Sequence, residues 1–149
     1  MLSRPLENGT RTWTSPNGEL RQWNPAPHVL VLRFRGALFD AEFCRVAVAV
    51  INEFAASNLG KMDIFHDWEG MVLYTTEART ELTELGLRLM PRLNSLNVLF
   101  STSFVEMGVT MANITLGGIR MFAQREEFEG AIRQAVESRG GTYTPLPPR

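Results

Sequence analysis

The side chains able to do chemistry are few. His66 and Asp67 adjoin, and theirs is the one pairing in the sequence that suggests acid–base catalysis. Neighbouring strand residues point to opposite faces, so the two form a single hydrogen-bonded dyad only if the strand ends at that point. A triad would also need an activated nucleophile, and the chain has neither a Gly-x-Ser-x-Gly elbow nor a phosphate-cradling glycine loop. Cys44, between Phe43 and Arg45 beside an apolar stripe, reads as a small, partly buried filler rather than a reactive thiol. One cysteine and two histidines supply too few soft ligands for a zinc site, and a lone cysteine excludes an intrachain disulfide. No catalytic residue, metal or cofactor is expected, and an enzyme using His66 and Asp67 is the least favoured reading.

The composition narrows the field in the same direction. With 149 residues, 44% hydrophobic and 21% charged, the chain fits one ordinary folded domain and excludes collagen-like, coiled-coil and wholly disordered classes. Fifteen basic residues, nearly all arginine and spread along the chain, face sixteen acidic ones. The basic excess or clustering that phosphate neutralisation demands is missing, so nucleic acid is not an expected partner. Met1 to Leu6 lack an apolar leader core, and no apolar run approaches the roughly 20 residues of a membrane-spanning helix. The expectation is a cytoplasmic, reduced protein without membrane insertion.

The elements that must position these residues can be read from periodicity and turn chemistry. Residues 1–9 are expected to be a flexible N-terminus. Thr10–Thr14 and Glu19–Trp23 flank Ser15-Pro16-Asn17-Gly18, where Pro presets the second turn position and Asn and Gly tolerate a positive φ; residues 10–23 therefore read as a hairpin. Its tryptophans, Trp13 and Trp23, must cover the sheet, a partner or a second copy, since a hairpin is not stable alone; self-association through them, giving a homodimer, is one hypothesis. His28–Arg35 is a strand, apolar on both faces at first and closed by Gly36. Asp40 can cap a helix whose inner face is Phe43, Val46, Ala47, Val50, Ile51 and Phe54. Lys61–Asp67 is a further strand. Thr75 or Thr76 caps the next helix, with Ala78, Leu82, Leu85 and Leu89 inward. Leu96–Phe100 is a strand, Ser103 to Glu106 fits a capping box, and Gly117-Gly118 ends the short helix that opens there. Ile119–Phe122 is the last strand. Phe128, Ala131, Ile132, Ala135 and Val136 mark a closing helix, and residues 139–149 read as a Pro-rich flexible tail.

Strands alternating with helices imply crossover connections and a partly parallel sheet of which only one face need be helix-covered. The strand ending Phe34-Arg35-Gly36, the helix after Asp40, the run into His66-Asp67-Trp68-Glu69-Gly70, the Phe100 strand with its short helix, and the closing Arg125–Ile132 segment together resemble the STAS superfamily. This is the sulfate-transporter and anti-sigma-factor-antagonist fold, here in a divergent antagonist-like bacterial branch, over about residues 18 to 138. The resemblance implies an α/β, STAS-like mixed sheet of about five strands with four helices, mostly on one face, preceded by the N-terminal β-hairpin extension, as a single domain over 10–138. It also implies a non-enzymatic signalling or scaffold module that contacts a protein partner around the third-strand loop and the helix after it. Phospho-regulated members carry an Asp-x-Ser motif there. Asp67 matches the acidic position and Glu69 stands in place of the serine, so that phospho-switch is not expected; Thr75 and Thr76 are substitutes, although a threonine there is ordinarily a cap.

The partner-binding residues expected on this basis are Asp67, Trp68, Glu69, Gly70, Tyr74, Thr75 and Thr76. The apolar run Trp68–Tyr74, read as a strand-to-helix loop, either packs as a lid or presents a contact surface. Leu89, Phe104, Met107 and Met111 are read first as core. They also suit an alternative function, a carrier or sensor of an apolar small molecule or lipid held between sheet and helices.

Overall fold

The computed structural model of the chain describes residues 1–7 and 9–145, of which 2–7 by backbone alone. The elements run β1 (Leu2–Glu7), β2 (Thr10–Ser15), β3 (Gly18–Ala26), β4 (Val29–Phe39), α1 (Ala41–Ala56), β5 (Met62–Tyr74), α2 (Thr76–Leu89), a 3-10 turn at Met90–Arg92, β6 (Leu93–Leu99), α3 (Ser103–Leu116), β7 (Ile119–Phe122) and α4 (Arg125–Glu137). All strands join one sheet in chain order, β1 to β7. β1 to β4 pair antiparallel through short turns, and β4 to β7 pair parallel through helical crossovers.

Right-handed crossovers that always advance in the same direction must all pass over the same face. The buried residues of α1, α2 and α3 accordingly share one core with Leu30, Leu32, Phe34 and Ile64. α4 has no further strand to reach. It turns back beneath the sheet and buries Phe128, Ile132 and Val136 against Val29, Val31, Phe65 and Leu99. Three of the four helices thus lie on one face, in keeping with the expectation of helices mostly on one side, and α4 covers the other. His28 ties α4 down by donating from Nε2 to the Ala135 carbonyl at 2.8 Å.

The sheet is larger than the about five strands expected, because the hairpin is no extension. Its second arm pairs with β4 from Gly18↔Gly36 to Ala26↔Val29, so β2 to β7 form a continuous body of six strands edged by β1. The hairpin tip is fastened at three points: Gly18 and Gly36 pass so closely that neither tolerates a Cβ, Leu38 N–H donates to the Asn17 carbonyl at 3.2 Å, and Asn17 Nδ2 donates to Asp40 Oδ2 at 2.8 Å. The other oxygen of Asp40 caps α1, accepting from Phe43 N–H at 3.0 Å. Trp13 and Trp23 are buried in the cores on the two opposite faces, which leaves little of either ring for a second copy. Tyr143, in the C-terminal tail, packs against Trp23 with ring centroids 6.3 Å apart.

Candidate functional site

Asp67 and His66 are consecutive on β5, and the pleat sends them to opposite faces, where each has its own surroundings. Asp67, 2% exposed, lies on the α4 side. Its Oδ2 accepts from Arg33 Nε at 2.9 Å, and Arg125, the first residue of α4, donates to both carboxylate oxygens at 3.0 and 2.9 Å. Arg125 also bonds Glu69 through Nε at 2.9 Å. Burial works against the charge of Arg125, but Asp67 and Glu69 outweigh it and hold its pKa above the usual value. The cluster pins the start of α4 to β4 and β5. Asp67, expected as a partner contact, is thus paired inside the chain, while Glu69, also expected as one, is exposed and pairs with Arg125 at the surface.

On the other face His66 is buried, and its ring lies 4.8 Å from that of Trp68. Burial pushes its pKa down to about 4, so the imidazole is neutral at pH 7. Neither ring nitrogen has a hydrogen-bond partner among the described residues. The two residues of the suggested acid–base pair are not brought together.

The segment from Trp68 to Tyr74 is not a loop. β5 continues through it to Tyr74, paired with the long β4 as far as Phe39↔Tyr74. Its valine, leucine and tyrosine suit a strand, and pairing with the 11-residue β4 carries it past the end of β6. A bulge falls where Arg33↔Asp67 gives way to Arg35↔Gly70, placing one extra residue on β5. The extra residue shifts the alternation so that Met71, rather than Gly70, comes after His66 and Trp68 on the helical side. Gly70 instead lies against the Arg35 side chain. Thr75 caps α2, its Oγ1 accepting from Ala78 N–H at 3.1 Å, and Thr76 begins the helix.

Behind these residues is an apolar cavity of about 60 Å³. The sheet contributes Phe39, His66, Trp68, Met71 and Val98, α2 contributes Arg79, Leu82 and Thr83, and α3 contributes Val105, Gly108, Val109 and Leu116. Trp68 is half-buried and faces this space, packing against His66 and Phe39 as a wall. Tyr74 lines it as well and stacks on Phe104 with centroids 4.6 Å apart.

The other apolar candidates lie elsewhere than expected. Leu89 is buried in the core but does not line the cavity. Phe104, Met107 and Met111 are exposed rather than core. They share the outer side of α3 with Ile114, at spacings of three and four residues, while Val105, Gly108 and Val109 occupy its inner side. α3 is thus apolar on both its inner and its outer side, with Glu106, Thr110 and Asn113 as a polar stripe between them, a wider apolar arc than a helix lying on a sheet needs. Its N-cap is Thr102, whose Oγ1 accepts from Val105 N–H at 3.2 Å; the helix begins at Ser103, the residue that the sequence pattern marks as the cap. Arg79, Arg125 and Ile114 are the residues that sequence reasoning misses. Arg125 lies within the segment that carries the resemblance, whereas nothing local marks Arg79 as lining a cavity.

Among the described residues, no group of three or more His, Cys, Asp or Glu is arranged to hold a metal ion, and no helix is long and apolar enough to cross a membrane. No family model matches the chain, and no curated protein matches it. A solved structure does: an uncharacterized protein of the DUF3478 family with a SpoIIAA-like fold from Shewanella loihica PV-4, 12% identical, covering 80% of this chain and 98% of that one at a TM-score of 0.58. The likeness shows the fold, a SpoIIAA-like one.

Proposed function

We propose that the chain is a non-enzymatic protein–protein interaction module, regulatory or scaffolding, whose contact surface is the outer side of α3. The observation that carries this is the stripe of Phe104, Met107, Met111 and Ile114, of which Met107 is 55% and Ile114 82% exposed. Val72 and Leu73, also exposed, stand beside Tyr74, whose ring meets Phe104 and so joins the end of β5 to the helix. Apolar side chains in contiguous array mark contact surfaces more often than scattered ones do, and methionines adapt to the groove they meet. The SpoIIAA-like fold supports the same class of function. Asp67, one of the charged residues first expected to make the contact, is buried and paired with Arg33 and Arg125.

The test is quantitative capture from cells of the native source with the wild-type chain, Met107→Glu and, on α4, Glu137→Lys. A protein retained by the wild type and Glu137→Lys but lost with Met107→Glu, while circular dichroism shows both variants folded, meets the expectation. Equal retention by all three, or no retained protein, overturns it.

A second reading has its own observation. From the cavity of about 60 Å³ between β5, α2 and α3 we infer, as this second reading, a binding place for a small, mainly apolar molecule.

A further inference from the structure

The cavity wall is apolar except at a few points, and two nitrogen-bearing side chains there have nothing to bond. His66 is one, with no partner for either ring nitrogen among the described residues. The other is Arg79 on α2, half-buried, whose guanidinium has no acidic or hydrogen-bonding partner among the described residues. Arg33, Arg88, Arg92, Arg125 and Arg139 donate hydrogen bonds within the chain, whereas Arg35 and Arg45, like Arg79, do not, but these two are exposed and line no cavity. Arg79 is the one arginine on this wall, and no carboxylate of the described residues is paired with it.

From this geometry we infer that the cavity binds a small amphipathic carboxylate, its apolar body against Leu82, Val98 and Val109 and its carboxylate on Arg79. The inference rests on the second reading above and adds the chemistry of the head group. The charge selects the class: one guanidinium on the cavity wall matches a single negative charge, and its planar fork fits the two oxygens of a carboxylate. A phosphate dianion would be left with an unmatched charge. The volume selects the size, since about 60 Å³ is the space of roughly four to six waters and so suits a body of about that many non-hydrogen atoms.

The experiment is titration of the full chain, isotope-labelled for NMR, with hexanoate and with 1-hexanol, which differ only at the head. Hexanoate is expected to bind about tenfold tighter, the worth of one charge-assisted contact. Arg79→Gln is expected to remove that advantage while leaving 1-hexanol binding unchanged, and Arg79→Lys to keep most of it. Ala112→Phe, which fills the cavity, is expected to abolish binding of both. If hexanoate and 1-hexanol bind the wild type alike, the carboxylate proposal fails while the cavity reading stands. If neither binds, both fail. Loss of 1-hexanol as well in Arg79→Gln also overturns the proposal, because Arg79 would then support the wall rather than a head group.

Discussion

Tyr74 rests directly on the backbone of α3 at Gly108, so close that a methyl group on that glycine would overlap the phenol oxygen and ring. A glycine inside a helix costs about 1 kcal/mol relative to alanine, and here it makes room for the ring that joins the end of β5 to the helix.

Gly108→Ala is therefore expected to be destabilising in the wild-type chain, overpacking at about 1–3 kcal/mol outweighing the gain in helix propensity. In a Tyr74→Ala background the same change is expected to stabilise by up to about 1 kcal/mol. Urea unfolding of the four proteins of this cycle measures both signs. The same sign in both backgrounds would refute the contact.

Asp67→Ala leaves the buried Arg33 without its anion and Arg125 without its bidentate partner. Breaking a buried pair in this way costs about 3–5 kcal/mol. Arg125→Met leaves Asp67 still paired with Arg33, and its cost is expected to be clearly smaller. Chemical denaturation of the two variants gives the comparison, and equal costs would contradict the order of burial.

His66 has a folded-state pKa of about 4 against 6.5 for the free side chain. Below 6.5 the unfolded chain binds a proton that the folded chain refuses, so stability falls as pH drops from about 6.5 to 4 and is fully present above that window. The loss reaches up to about 3 kcal/mol at the lower end. His66→Phe, which cannot titrate, is expected to remove this part of the pH dependence. Unfolding free energies at pH 7 and pH 4.5 for both proteins check it; an unchanged difference would show that His66 is not the group responsible.

Cys44 is buried, and burial, followed by its bond to Glu81 at 3.3 Å, pushes the thiol up to about 12. The thiolate is the reactive form, so native protein is expected to resist iodoacetamide at pH 8 and to react once unfolded. Rapid labelling of the native chain, read by intact-mass spectrometry, would contradict the burial.

Much of the fold is legible in local pattern. Asp40 announces α1, Phe43 to Phe54 repeat at helical spacing, and Phe128 to Val136 do so again, because caps and amphipathic faces are written within a few residues. β5 past Asp67 is not legible in this way: it is a strand because β4 is long enough to pair with it, a reason that lies 35 residues away in register. The same holds for Thr102, displaced by one position from the expected cap by the exit of β6. Of the candidate site, His66 and Trp68 are visible as residues, but the cavity they line depends on how α2 and α3 settle over the sheet. Met107 and Met111 show the converse: a stripe reads as core whether it faces inward or outward, and on α3 both sides are apolar.

The sheet order β1 to β7 is also the order in which a ribosome releases the strands. No strand waits for a neighbour made later in order to enter between two others; each docks on an edge already present. The helices that follow β6 close the object: α3 roofs the cavity, and α4 seals the opposite face through Arg125 and Asp67. A chain interrupted before α3 would carry a sheet with its hollow unroofed, and one interrupted before Arg125 would leave Phe65 and Asp67 open to water.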